Sequence, residues 1–294
     1  MRTRGCRSIL PFGKSMLVPL LVLSMAAAAY AQDTSAPATT KTRQSRKAQT
    51  VRSAPDLEPR AIALLKASSD RLSAAKSLSF TAVELLEQPS RQGHPLAYAT
   101  RSEVVLRRPD HLKVVTSGDG PTSEFYYNGS TMAAFAPDEN LLAVADAPPT
   151  IDATLEAAYH TASIYFSFTD LIVADPYKDM AEGLELAYYV GQSSVVEGIT
   201  TDIVAYIDNG VFLQAWIGVD DRLPHRVRAV YLNDPERLRH DLVLANWRLD
   251  SEGTTDTFTP VNAESAKRIP FAHPHPQQAS GTKAPARKAK PTTR

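Results

Sequence analysis

Two long stretches, Leu78 to Pro148 and Ser193 to Asp250, alternate apolar and polar residues and are broken at short intervals by Gly, Pro, Asn and Asp. Alternation of period two marks strands with one buried face. "LSFTAVELLEQ", "AYATRSEVVLRR" and "HLKVVTS" read as strands, followed by "SEFYYNGSTMAAF" with Asn128-Gly129 between apolar runs, a strong short hairpin signal. "LLAVADAP" returns after the turn residues Pro137 to Asn140. The second stretch has further turns at Glu197-Gly198 and Asn209-Gly210, then "VFLQAWIGVDDRLPHRVRAVYL", two strands around a polar turn, and finally "HDLVLANWRLD".

The period changes in two places. "DLEPRAIALLKASSDRLSAAKSL" sets Ile62, Leu65, Leu72 and Ala75 on one helical stripe, with Asp56 and Glu58 at its start. After Pro148-Pro149, "TIDATLEAAYHTASIYFSF" carries Ile151, Leu155, Ala158, Ala162, Tyr165 and Phe166 at helical spacing, with Thr150 or Asp152 as cap. "TDLIVADPYKDMAEGLELAYYV" predicts a second, shorter helical piece around Pro176. The expected fold is therefore α+β: about ten strands in a long curled antiparallel sheet, an open and incomplete β-barrel, with two to three helices packed into its concave side.

One strand poses a question for this fold. In Val211 to Val219 the odd positions are apolar, but the even positions Phe212, Gln214, Trp216 and Gly218 do not form the charged face of an exposed strand. Either a helix or a lipid lies against it. The candidate ligand contacts are Trp216 and Phe212, with Tyr206 and Tyr231 on adjoining strands and Tyr165 and Phe166 on the inserted helix. Aromatics at such positions serve as core as readily as ligand contacts. If they line a cavity, each buried acyl CH₂ contributes about 0.8 kcal/mol. Arg226 and Arg228 alternate on one face and are the headgroup candidates.

Charge and targeting then fix the setting. "MRTRGCRSILPFGKSMLVPLLVLSMAAAAYAQ" has a basic start, an apolar run and the Ala29-Tyr30-Ala31 pattern, so residues 1–31 read as a signal peptide cleaved after Ala31. The expected location is the periplasm. Cys6, the single cysteine, falls within that signal, so the exported chain has no disulfide and relies on its core. Residues 32–55 read as a disordered basic linker and 265–294 as a disordered basic tail rich in Pro and Lys. The signal, linker and tail hold net excesses of four, four and seven basic residues; the chain is neutral, so the domain at 56–264 carries a formal −15. The tails could touch an anionic membrane surface or serve as solvated linkers. Nucleic acid is not an expected partner of the acidic domain.

The chain carries no G-x-S-x-G, H-E-x-x-H, C-x-x-C or Gly-rich phosphate loop. His273 and His275 have metal-like spacing in "AHPHP", without a second cluster. No catalytic residue, metal or cofactor is therefore assigned.

The "LEPRAIALLKASSDRLSAAKSLSF" opening at Leu57 to Phe80, "DPYKDMAEGLE" with "YVGQSSVVEGI" between Asp175 and Ile199, and "WIGVDDRLPHRV" at Trp216 to Val227 resemble a family of predicted bacterial periplasmic proteins of unknown function. That family is similar in fold to the lipoprotein carriers LolA and LolB. Its members often carry Cys or His after the Glu197-Gly198 turn, where "ITTDIVAY" has neither. The resemblance implies a helix-plugged open barrel that shelters a lipid, an acyl chain or a lipidated protein segment without catalysis. The alternative is an interaction or envelope-stress regulatory module, its barrel filled by its own helices, that binds an envelope protein partner. A hydrolase is disfavoured by the missing motifs.

Overall fold

The computed structural model describes residues 56–251, 258–261 and 263–273. The expected signal peptide at 1–31, the expected linker at 32–55 and the part of the expected tail beyond 273 lie outside the described residues. The chain opens with β1 (Asp56–Leu57) and α1 (Pro59–Ala74), then runs through β2 (Ser77–Gln88), β3 (Leu96–Arg107), β4 (His111–Gly118), β5 (Ser123–Tyr127), β6 (Thr131–Ala136) and β7 (Leu141–Asp146). Three helices follow: α2 (Ile151–Ala162), α3 (Thr169–Ile172) and α4 (Pro176–Gly183). A second run comprises β8 (Leu184–Ser193), β9 (Thr201–Asp208), β10 (Val211–Gly218), β11 (Pro224–Tyr231) and β12 (Arg239–Leu249), and β13 (Lys267–Ile269) comes last.

The thirteen strands of the described residues form one sheet in the order β1-β8-β9-β10-β11-β12-β2-β3-β4-β5-β6-β7-β13. It consists of two antiparallel meanders, β2 to β7 and β8 to β12, joined where β12 pairs with β2. The sheet is open and curled, with β1 and β13 as its edges. The sequence pattern predicts about ten strands; the other three have physical reasons for escaping it. β1 and β13 are two and three residues long, too short to show a period, and both pair in parallel with their neighbours. A parallel pairing needs a long connection, which the strands and helices lying between each pair supply. β8 lies inside the piece read as helical: only α4 is helix there, and the chain turns extended at Leu184. β13 also places ordered backbone inside the segment read as a basic tail from 265.

The turns follow their chemistry. Asn209 and Gly210 have φ of 48° and 77°, the two positive values a tight two-residue hairpin demands. At the β5–β6 turn the Asn128 side-chain oxygen accepts from the backbone N–H of Ser130 and Thr131. Thr150 caps α2 by accepting from the Ala153 N–H at 3.3 Å. The same helix ends at Ser163, whose φ of 54° lets its N–H reach the Tyr159 carbonyl at 2.8 Å. Tyr165 and Phe166 therefore leave the helix on which their spacing had placed them and sit in the α2–α3 connection.

Helices cover one face of the sheet. Phe80, Val104, Leu106, Leu112, Leu242 and Leu244 meet Ile151, Leu155, Phe168 and Ile172 in the main core. Phe80 stacks on Trp247 at 4.4 Å and meets Phe168 edge-on at 5.5 Å. A second cluster sets Ala61, Leu64 and Leu65 of α1 on Ala187, Val204, Tyr206, Ala215 and Ile217. On the opposite face, Ala263 covers Tyr126, Ala133, Phe135 and Leu142.

Candidate functional site

The two faces of β10 are now distinguishable. Leu213, Ala215 and Ile217 point at α1. Phe212 and Trp216, of opposite parity, lie on the face away from the helices. There Phe212 stands between Ile207 and Val230, and Trp216 between Ile203 and Arg226. The Arg226 guanidinium lies 4.9 Å from the centre of the Trp216 ring. It also forks onto Asp241, donating from Nε at 2.8 Å and from Nη2, which raises its pKa further. Phe212 and Trp216 are thus half-buried among their own cross-strand neighbours. Arg228 shares that face, opposite Gln214 and Asp241. Neither arginine stands at the mouth of the helix-facing side.

The remaining aromatic candidates divide again. Phe166 is core: it stacks on Phe168 at 5.4 Å and meets Phe125 at 5.7 Å. Tyr165, Tyr206 and Tyr231 converge. The Asp170 carboxylate acts electrostatically on all three hydroxyls and helps raise each pKa, after burial as the leading cause. Tyr165 is 56% exposed, yet its hydroxyl end is hemmed in. Tyr206 is only 9% exposed.

Acidic groups join them from four elements. Asp208, two residues beyond Tyr206 on β9, has its pKa pushed up to about 6 by burial, then by Asp170, and slightly by Glu185 of β8. Glu84 shares the parity of Phe80 and Ala82 on β2, so it projects to the helix side. Burial raises its pKa while nearby Ser167 opposes the rise. The Ser167 hydroxyl is itself buried without a hydrogen bond of ordinary geometry. His240 Nδ1 stands 3.5 Å from Glu84 Oε1, and its ring meets Tyr231 edge-on at 5.2 Å. Burial lowers the His240 pKa, which favours the neutral imidazole. Beyond Glu84 the same face continues into Leu86, Tyr98 and Leu96, the last two 40% and 49% exposed. The tyrosines, Glu84 and Asp208 thus share one corner of the helix-facing side with the exposed apolar end of the β2–β3 hairpin, and this corner is the candidate cleft. Sequence reasoning found its tyrosines and missed Glu84, Asp170, Asp208 and His240. Of these only Glu84 had a signal, its parity with Phe80.

At the other end of the helix-facing side, Asp202 is 5% exposed. It accepts from Tyr189 Oη and Gln192 Nε2 at 3.0 Å, and Arg60 and Arg222 approach it to 3.7 Å. Arg60 lies 3.4 Å over the Tyr189 ring. His225 is buried beside Asp221, with Nε2 at 3.0 Å from its carboxylate. Every strong partner here ties α1 and the β10–β11 turn to the sheet. Among the described residues no His/Cys/Asp/Glu cluster is arranged to hold a metal. Two small cavities occur elsewhere: one of about 250 Å³ between Ala133, Leu142 and Ala263, and one of about 140 Å³ between Arg108, Pro109 and Asp152.

The architecture is an open curled sheet with helices on one face. Residues 61–272 match the family model described as "Predicted periplasmic protein (DUF2092)", and the chain belongs to that family. Its location is accordingly the periplasm, and no helix among the described residues is long and apolar enough to cross a membrane. A search of curated proteins finds no match. Among solved structures the chain is similar to LprF from Mycobacterium bovis, at 16% identity over 71% of this chain and 99% of that one, with a TM-score of 0.41. It is similar to the MucA/MucB complex of Pseudomonas aeruginosa at 16% identity over 71% of this chain, with a TM-score of 0.39. It spans 64% of that matched chain, under two thirds of its length. A putative outer membrane lipoprotein-sorting protein domain from Vibrio parahaemolyticus is similar at 10% identity over 67% and 94% of the two chains, with a TM-score of 0.31.

Proposed function

We propose that the chain is a non-enzymatic periplasmic binding protein, and that it holds an apolar segment of an envelope partner in the cleft beside the β2–β3 hairpin. One observation carries this reading: the helix-facing side is packed at its centre but leaves apolar side chains of the β2–β3 hairpin exposed. Phe80, Phe168, Leu72 and Leu244 are all but fully buried in the centre, while Leu96 and Tyr98 stay exposed at the lip. Sheltering a whole acyl chain takes an enclosed apolar volume of several hundred Å³. The cavities at Ala263 and Arg108 are smaller and lie away from the cleft. A half-open apolar lip suits a segment laid along it, and it supports the interaction-module reading over the enclosed-lipid one.

The test is native mass spectrometry of protein purified from a periplasm, with and without added fatty acid, beside a titration with a dodecapeptide of alternating Leu and Gln. The expected result is a bare protein mass and saturable peptide binding that Leu96→Asp with Tyr98→Asp removes. A stoichiometric lipid adduct would return the chain to the carrier reading.

A further inference from the structure

Away from the cleft, an incomplete set of polar partners surrounds a small cavity. Arg108 follows β3 at the opposite end from the β2–β3 hairpin, and its Nη1 donates to the Ile172 carbonyl at 3.0 Å. Its Nε and Nη2 are buried and make no hydrogen bond. These two groups form the guanidinium edge that grips a carboxylate through two parallel bonds. Arg226 closes the same edge on Asp241, and Arg239 closes it on Glu87. Arg108 leaves it open, lining a cavity of about 140 Å³ with Pro109, Thr150, Ile151, Asp152 and Ala174. A buried donor without a partner costs stability unless water or a ligand completes it.

The same cavity has a carboxylate in its wall. Asp152 accepts from the Ala174 N–H with both oxygens, at 3.1 and 3.2 Å, and acts on Arg108 electrostatically without an ion pair between them. Its oxygens keep lone pairs for further donors. The cavity thus presents a double donor of positive charge and an acceptor of negative charge. We infer that it binds a small free amino acid as the zwitterion, with the carboxylate on Nε and Nη2 of Arg108 and the ammonium on Asp152. A lone anion would pair with Arg108 but meet Asp152 as repulsion, and a lone cation would do the reverse. A zwitterion meets each charge with its opposite and brings no net charge into a low-dielectric space. The volume restricts the ligand to a short side chain, since pockets for drug-sized molecules begin at roughly 300 Å³. This site is separate from the β2–β3 cleft and does not depend on the function proposed for it.

The experiment titrates isotopically labelled protein, purified from a periplasm, with glycine, acetate and methylammonium. It follows the Arg108 Nε–H signal and the backbone amides of Asp152 and Ala174 by nuclear magnetic resonance. Glycine is expected to shift these signals saturably and to bind about tenfold tighter than acetate or methylammonium, each of which completes only one of the two charged contacts. Arg108→Gln should abolish the amide shifts. Asp152→Asn should cancel the preference for glycine over acetate, and Asp70→Asn, at an exposed acid of α1, should preserve it. If acetate binds as tightly as glycine to the wild type, the open edge takes any carboxylate and the zwitterion inference fails. If the preference survives Asp152→Asn, the ammonium sits elsewhere and the inference also fails. If none of the three moves the signals, the cavity holds water only and the inference falls, with the reading of the cleft untouched. Matching melting curves show that the variants remain folded; were Arg108→Gln unfolded, the wild-type comparison of the three ligands together with Asp152→Asn decides.

Discussion

At the residue scale, parity and burial decide what each side chain does. Asp208 is the clearest titrating case: its folded pKa is about 6 against an ordinary 3.8. The folded state therefore holds that proton more tightly than the unfolded chain. Its contribution to stability is fully present below about pH 4 and is lost as pH rises through 6. Urea midpoints measured from pH 4 to pH 7 should show wild type losing stability relative to Asp208→Asn across that window. Arg226 makes a second prediction. Replacing it by Ala uncovers Trp216 and leaves Asp241 unpaired, with an expected loss of about 1 kcal/mol in unfolding free energy. Peptide binding should not change, because Arg226 and the cleft are on opposite faces. Both predictions turn on a distinction the sequence half revealed. Alternation in "VFLQAWIGV" showed that two apolar faces exist, but which one meets the helices depends on where α1 packs. Glu84 could have been read from its parity with Phe80; Asp170 could not, because α3 is a single turn whose placement comes from packing.

At the element scale, local signals were reliable where the chemistry is local. Asn128-Gly129 and Asn209-Gly210 both make hairpins, and Thr150 caps α2. Where two structures compete for the same residues, periodicity failed. Tyr165 and Phe166 continue the helical spacing of α2, yet Ser163 takes the left-handed conformation and ends it. The stretch from Leu184 has the apolar content of a helix but pairs with β9. α1 depends on tertiary contacts: its N-cap residue Glu58 makes no cap and instead accepts from the Tyr189 N–H at 2.7 Å. Arg60 beside Asp202 adds to that anchor. Asp202→Ala should therefore cost about 2 kcal/mol, because it removes a buried charged acceptor shared by Tyr189, Gln192, Arg60 and Arg222. Chemical denaturation measures the loss. Faster hydrogen exchange confined to α1 and β8 would show that the anchor is what broke.

At the scale of the whole molecule, the sheet is finished by its ends. β13 covers the outer edge of β7, and Ala263 covers the apolar face of β5 to β7. Truncation after residue 257 should expose Tyr126, Phe135 and Leu142 along with an unpaired edge strand. The expected outcome is a lower melting temperature and concentration-dependent association, seen by light scattering. The basic segments outside 56–264 offset the acidic domain to give a neutral chain.

By itself the sequence determined the compartment, the α+β class, the succession of hairpins and the absence of a catalytic signature. These depend on composition and on neighbours a few residues apart. It also supplied three tyrosines of the cleft. Only the tertiary structure decided that those three converge while Phe212, Trp216 and Phe166 do not, and that acids rather than arginines accompany them. The reason is that the cleft draws on β2, α3, β9, β11, β12 and the α2–α3 connection, segments far apart in sequence. No period or motif records which of their polar side chains will share one low-dielectric space.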